Sequence, residues 1–189
     1  MQNEHNLTKG VNPLLGDKDA MWSTRDEQGA ETETSEFMYG LIRLIKPAVV
    51  VETGSYLGDT TIAIAKALKE NNHGKLYSCD INGSYAKEVN EWLEKEGLQE
   101  WGEVLLITGK ELIAHLGNQI EFAFIDSGGE KGVRENEIKT LIPFMKPLQM
   151  FALHATAPQH VGMNAVANAI QLPKVYFNCP RGLTLFQKL

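Results

Sequence analysis

Apolar residues recur along this chain in two rhythms that alternate with one another. Phe37, Leu41 and Leu44 fall at i, i+4, i+7, the spacing of one helix face, and Pro47 ends that helix. Ala48 to Val51 is a short β-branched run that reads as a buried strand. A helix over residues 58–70, with Ile64 and Leu68 on one face, comes next. The alternation continues with a strand at Lys75 to Cys79, a helix marked by Val89, Trp92 and Leu93, and a strand at Val104 to Ile107. Thr108 and Glu111 have the spacing of a capping box, opening a short helix carrying Leu112, Ile113 and Leu116. Phe122 to Ile125 is the next strand, and Ile138, Leu141 and Ile142 mark a helix closed by Pro143. A strand at Gln149 to Leu153 and a helix carrying Met163, Val166 and Ile170 follow. Two final strands, Val175 to Phe177 and Leu183 to Phe186, have no helix between them and should pair antiparallel.

Alternating strands and helices predict an α/β fold whose largely parallel sheet is covered by helices on both faces. At 189 residues the chain is long enough for about one domain. Residues 1–33 carry no periodic element; they read as a loosely packed N-terminal extension with small apolar patches at Leu14 and Leu15 and at Met21 and Trp22. The main domain is then 34–189. The formal charge of −6, without any Lys/Arg cluster, argues against a nucleic-acid or anionic-membrane partner. No apolar run approaches the ~20 residues that span a bilayer, and residues 1–10 lack the apolar core of a signal peptide. Cys79 and Cys179 are too few for a disulfide framework. Together these features predict a cytoplasmic protein, and a homodimer is compatible with them.

The segment 49–61, VVVETGSYLGDTT, carries the strongest chemical signal. A buried strand ends in Glu52, and Gly54 and Gly58 lead into a helix. Glycine permits a tight turn and a close backbone approach to a ligand, and ligands of open α/β sheets lie outside the carboxyl ends of the strands. The dinucleotide fingerprint G-x-G-x-x-G would need glycine where Tyr56 and Asp59 stand, and no Gly-Lys-Ser/Thr ends the loop as a P-loop requires. Asp80 ends the second strand, at an offset comparable with the ~20 residues of ribose-binding carboxylates. Its two oxygens can accept from a ribose diol; the alternative is a cap on the helix that starts near Ser84.

The spacing E-x-G-x-x-x-G resembles the first motif of class I S-adenosylmethionine-dependent methyltransferases. Two later segments resemble the small-molecule O-methyltransferase and cephalosporin-hydroxylase-like branch of that family. Phe124-Ile125-Asp126 with Gly132-Val133-Arg134 is similar to its Phe-Ile-Asp-Gly-Asp-His…Gly-Val-Arg, and Leu153-His154-Ala155-Thr156 to its His-Asp-Thr step. The closing Gly182-Leu183-Thr184-Leu185-Phe186 also looks like the branch's last strand. The resemblance implies a Rossmann-like three-layer sandwich with a mostly parallel seven-stranded sheet and an antiparallel C-terminal strand. It implies S-adenosylmethionine as cofactor, held by Glu52, Gly54, Ser55, Tyr56, Gly58, Asp80, Gly109, Lys110 and Asp126, with Thr108 to Lys110 also readable as a plain capping turn.

The chain departs from the branch where metal-using members bind a divalent cation. Ser127, Gly128 and Gly129 replace the Gly-Asp-His that should follow Asp126, and Ala155 replaces the aspartate after His154. A hard cation wants several oxygen ligands, so no metal is expected. Without one, a hydroxyl acceptor needs a base. Asp126 and His154 are the candidate catalytic residues, with His154 acting as a neutral imidazole. His160 is a weaker candidate, and His5, His73 and His115 read as surface residues. The expected activity is methyl transfer from S-adenosylmethionine to a small molecule, at a hydroxyl. The competing readings are a protein of the same fold that binds the cofactor without catalysis, and an NAD(P)-linked oxidoreductase.

Overall fold

A computed structural model describes residues 22–26, 28–128 and 132–189. The expectations placed on His5, Leu14, Leu15, Met21 and Gly129 lie outside the described residues. Helices α1 (Thr32–Ile45), α2 (Asp59–Asn71), α3 (Gly83–Lys95), α4 (Gly109–Leu116), α5 (Val133–Phe144) and α6 (Val161–Ala169) alternate with β1 (Val49–Thr53), β2 (Lys75–Cys79), β3 (Gly102–Leu105), β4 (Phe122–Ile125) and β5 (Met150–His154). The chain closes on β6 (Lys174–Phe177) and β7 (Leu183–Gln187). The sheet order is β3-β2-β1-β4-β5-β7-β6. Strands β1 to β5 pair parallel, while β7 is antiparallel to both β5 and β6. This is the expected α/β three-layer sandwich with its antiparallel C-terminal strands.

The parallel order puts the carboxyl ends of β1, β2, β4 and β5 at one edge of the sheet, carrying Thr53, Cys79, Ile125 and His154. One face of the sheet is covered by α4, α5 and α6, around Leu112, Ile138 and Phe151. The other is covered by α1 and α2, around Met38, Ile64 and Phe122. Burying side chains of this size contributes roughly 1.5–3 kcal/mol each, and these two layers anchor the strand ends.

Local differences from the sequence reading have local causes. Helix α1 forms as expected but buries Met38 and Ile42, leaving Leu44 76% exposed. Met38 and Ile42 share the helical spacing of Phe37 and Leu41 one residue on, so periodicity cannot choose between the two stripes. Strand β3 runs over Gly102–Leu105 instead of 104–107, because Leu106 and Ile107 belong to the loop beyond it. Helix α5 continues through Pro143 to Phe144, since proline's fixed φ is helical and only its missing N–H is lost in the final turn. The Thr108–Glu111 capping box is present on α4. The cap of α3 is Asn82, whose side chain accepts from Ser84 N–H, so Asp80 is not a helix cap.

Candidate functional site

A cavity of about 760 Å³ opens at the carboxyl edge of the sheet, within the usual range of small-molecule sites. At one end it is shaped by the loop between β1 and α2. Gly54 has φ +85°, and a Cβ there would lie 2.8 Å from Asp126 O and Ser127 Cα. Gly58 has φ +89°, and a Cβ there would press on the Val89 methyls at 2.9 Å. Side chains at these positions would push β1 away from β4 and α2 away from α3. The loop is tied to β2 by Gly54 N–H and Ser55 N–H, which donate to Cys79 O at 2.9 and 3.1 Å.

Two carboxylates fix this loop from below and from the side. Glu52 is buried, and its Oε2 accepts from Ser78 Oγ at 2.6 Å and Thr61 Oγ1 at 2.5 Å, joining β1, β2 and α2. Burial pushes its carboxyl up to about 7 against the pull of those two hydroxyls. Asp80 lines the cavity at the end of β2. It accepts from Tyr56 N–H at 2.9 Å, Ser55 Oγ at 3.4 Å and, through its other oxygen, Asn82 N–H at 2.8 Å. Its Oδ1, with one donor, keeps lone-pair capacity for a ligand hydroxyl, whereas Oδ2 already has two donors.

Of the residues expected at the cofactor, Glu52, Gly54, Ser55, Tyr56, Gly58, Asp80, Gly109 and Asp126 all line this one cavity. Lys110 does not: it is exposed and lies outside the lining. Gly109 opens α4 directly against Glu137, and a Cβ there would overlap Glu137 Oε1.

The opposite end is built from charges. His154 is 1% exposed. Its Nδ1 lies 3.0 Å from Asp126 Oδ2, and its Nε2 lies 2.9 Å from Glu31 Oε2. Asp126 Oδ1 pairs with Arg134 Nη2 at 3.1 Å. Arg134 also donates to His154 O at 3.0 Å and to Ser127 O. The second oxygen of Glu31 accepts from Arg181 N–H at 2.7 Å. Burial pulls the imidazole down, but the Asp126 and Glu31 carboxylates outweigh it and raise His154 to about 9. Burial likewise opposes Glu31, but the imidazolium and its hydrogen bond bring it down to about 2. Asp126 is held below the usual carboxylate range by His154 and Arg134, again against burial. Both its ring nitrogens face carboxylates, and that pairing favours the imidazolium over the neutral base expected from the sequence.

The sequence reading missed Glu31, Arg134 as a partner of Asp126, and Arg181. Glu31 lies in the polar extension, 123 residues from His154, where no periodicity marks it. The described end of that extension is packed, not loose. Gln28, Gly29 and Ala30 line the cavity, Arg25 pairs with Asp59 at 3.0 Å, and Tyr56 donates to Asp26 at 2.5 Å.

This donor set does not fit a divalent cation. Asp126 ends β4, and both its oxygens face cationic groups already, Arg134 at 3.1 Å and His154 at 3.0 Å. Among the described residues no group of three or more His, Cys, Asp or Glu is placed to hold a metal ion.

The strand order, the glycine turn and the cavity at the strand ends define a Rossmann-like protein with a site for a nucleotide-type ligand. A family profile described as a methyltransferase domain matches residues 51–155, more than half of the chain, and the chain belongs to that family. It is 23% identical over 120 residues to catechol O-methyltransferase of Mus musculus, a match covering 64% of this chain and 42% of that protein. The match thus spans about two fifths of the length of that curated relative. Among solved structures, the S-adenosylhomocysteine-bound methyltransferase PaMTH1 of Podospora anserina superposes with TM-score 0.73 at 12% identity, covering 98% of this chain and 86% of that one. The O-methyltransferase TomG of Streptomyces achromogenes, involved in tomaymycin synthesis and solved with S-adenosylmethionine, gives TM-score 0.69 at 14% identity, covering 86% and 83%. These likenesses show the fold.

Proposed function

We propose that this chain binds S-adenosylmethionine in the cavity and catalyses transfer of its methyl group to a hydroxyl of a small cytoplasmic molecule. The observation that carries the reading is the convergence of the Gly54 turn, the buried Glu52 and Asp80 on one cavity of suitable size in a methyltransferase-family chain. The glycine loop would hold the amino-acid part, and Asp80 the ribose diol. Lys110, exposed outside the lining, has no part in this assignment. When bound, the cofactor supplies an electrophilic methyl group on a sulfonium. TomG and PaMTH1 were each solved with this cofactor or its demethylated form, which supports the same choice here. Tyr56 and Asp59, standing where a dinucleotide site needs glycine, speak against NAD(P).

Residues 34–189 would form the catalytic domain, with residues 28–30 of the extension closing one side of the pocket. Asp126 and His154 sit at the acceptor end. With the carboxylates favouring the protonated form of His154 and Asp126 a weakened base, the site suits an acceptor hydroxyl acidic enough to ionise on its own. The protein contributes in-line positioning and a fixed pair of opposite charges beside the reacting oxygen. The locked histidine also favours the second reading, a cofactor-binding protein without turnover.

Calorimetry with S-adenosylhomocysteine, followed by labelled methyl transfer to a panel of phenols, carboxylic acids and alcohols, separates these. Micromolar binding, roughly −8 kcal/mol, with turnover of the acidic acceptors is expected. Binding without turnover of any acceptor would leave the second reading, and binding of NAD instead would overturn both.

A further inference from the structure

Ser127 stands where the related branch has a glycine, and it lines the cavity directly against the glycine loop: a Cβ on Gly54 would lie 2.8 Å from Ser127 Cα. Its hydroxyl donates to Glu137 Oε2 at 2.8 Å. That same oxygen accepts from Thr53 Oγ1 at 3.0 Å, so Glu137 is gripped from β1 and from the β4 loop together. Glu137 is 1% exposed, and its Oε1 has no hydrogen-bond partner. Gly109 leaves room for it, since any side chain there would overlap Oε1.

A hydroxyl has one proton and two lone pairs. With the proton of Ser127 committed to Glu137, only lone pairs remain to face the cavity. Such a group accepts and does not donate, and once the ligand displaces water from it, it discriminates between ligand groups that carry an N–H and isosteres that do not.

We propose that Ser127 Oγ is a specificity-determining acceptor for an N–H of the bound cofactor, with Glu137 as the positioning residue that fixes its polarity. This rests on the S-adenosylmethionine reading of the cavity. That ligand has two N–H groups that could reach the end of β4: the amine on its adenine and the ammonium of its amino-acid part. Ile81 and Ile107, apolar residues of the lining beyond Asp80, suit the flat faces of the adenine.

The test is calorimetric, on the full chain, with three probes: S-adenosylhomocysteine, its 6-oxo analogue S-inosylhomocysteine, and its desamino analogue. The wild-type protein should bind one of the two analogues at least about tenfold more weakly than S-adenosylhomocysteine, and the identity of that analogue names the group accepted. Ser127→Ala should reduce that ratio to within about threefold while keeping its melting temperature. Glu137→Leu should reduce it similarly by freeing the hydroxyl to rotate, an effect that a purely structural role for Glu137 would not produce. Equal binding of all three probes by the wild-type protein overturns the proposal but leaves the cofactor reading intact. An undiminished ratio in Ser127→Ala does the same. Failure of S-adenosylhomocysteine to bind the wild-type protein overturns both.

Discussion

The glycine-loop end of the cavity takes its shape from backbone; the opposite end, proposed for the acceptor, takes its shape from charge. At the first, Gly54 and Gly58 hold left-handed conformations in which any Cβ would strike a neighbour. At the second, Glu31, His154, Asp126 and Arg134 form one chain of ion pairs between 2.9 and 3.1 Å, joining the extension to β5, β4 and α5. Backbone shape is local and tolerates many surrounding sequences. A buried charge chain is long-range, and losing one member strands the others.

The sharpest way to break this comparison is to remove the centre of the charge chain. His154→Leu removes the imidazole between the two carboxylates, stranding the buried Glu31 and leaving Asp126 with Arg134 alone. A loss of about 3–5 kcal/mol of stability in urea denaturation is expected, typical of a broken buried pair. Adding Glu31→Gln to that variant should recover part of the loss, because one stranded charge is gone. A loss below about 1 kcal/mol would show the acceptor end to be held by packing. Protease susceptibility within residues 22–31 should rise in the same single variant, since Glu31 ties that segment to β5 and to Arg181.

A smaller effect is expected at the other end. Asp80→Ala should weaken S-adenosylhomocysteine binding by about 1.5–3 kcal/mol, the range for hydrogen bonds to a charged group. Part of this loss comes through the loop, because Asp80 also accepts from Tyr56 N–H and Asn82 N–H. Calorimetry on the folded variant checks it, and unchanged affinity would reduce Asp80 to a loop brace. The fold should survive, because the core on both sheet faces is untouched.

The same division explains what the sequence revealed. Elements with strong periodicity or a punctuating residue were legible: β1 and its glycine turn, the Thr108–Glu111 cap, and the antiparallel pairing of β6 and β7. The glycine-loop end was legible too, because its requirements are residue types at short spacing. The acceptor end was only half legible. Asp126 and His154 are marked by motif, but the ionisation state of His154 depends on Glu31, which is far away in sequence and sits in a stretch with no pattern. Which stripe of α1 faces the core was undecidable for another reason: Phe37 and Leu41 are as apolar as Met38 and Ile42, and only the sheet selects between them.

A third prediction uses pH to separate the two ends, and its expected size is modest. His154 has its pKa raised from 6.5 to about 9 on folding. Its contribution to stability is therefore full below 6.5 and is lost as pH rises through 9. Glu31 is lowered from 4.5 to about 2, so its contribution is present above 4.5 and is lost as pH falls through 2. The charge chain should stabilise most between pH 4.5 and 6.5 and weaken toward pH 9. The melting temperature of the wild-type protein should fall more between pH 6.5 and 9.5 than that of the Glu31→Gln, His154→Leu double variant. Parallel curves would mean that the acceptor end does not titrate as a unit.

The smallest expected effect is none at all, and it tests whether the charge chain leaves any place for a divalent cation. A divalent cation at this end would need several hard oxygen ligands. Asp126 offers two oxygens, but one faces the Arg134 guanidinium at 3.1 Å and the other the His154 imidazolium at 3.0 Å. A cation entering there would have to displace two positive groups from a carboxylate that holds them against burial. Ala155, next in the chain, offers no ligand. The fixed cations already place positive charge beside the acceptor end, which is the electrostatic part of what a metal supplies. Dialysis against excess EDTA should therefore leave both S-adenosylhomocysteine affinity and methyl transfer within a few-fold of their starting values, and added Mg²⁺ should restore nothing. Loss of turnover with EDTA and recovery with Mg²⁺ would require Asp126 to release Arg134 on cofactor or acceptor binding. Arg134→Met, which removes the competing cation, should then tighten the metal requirement instead of abolishing it.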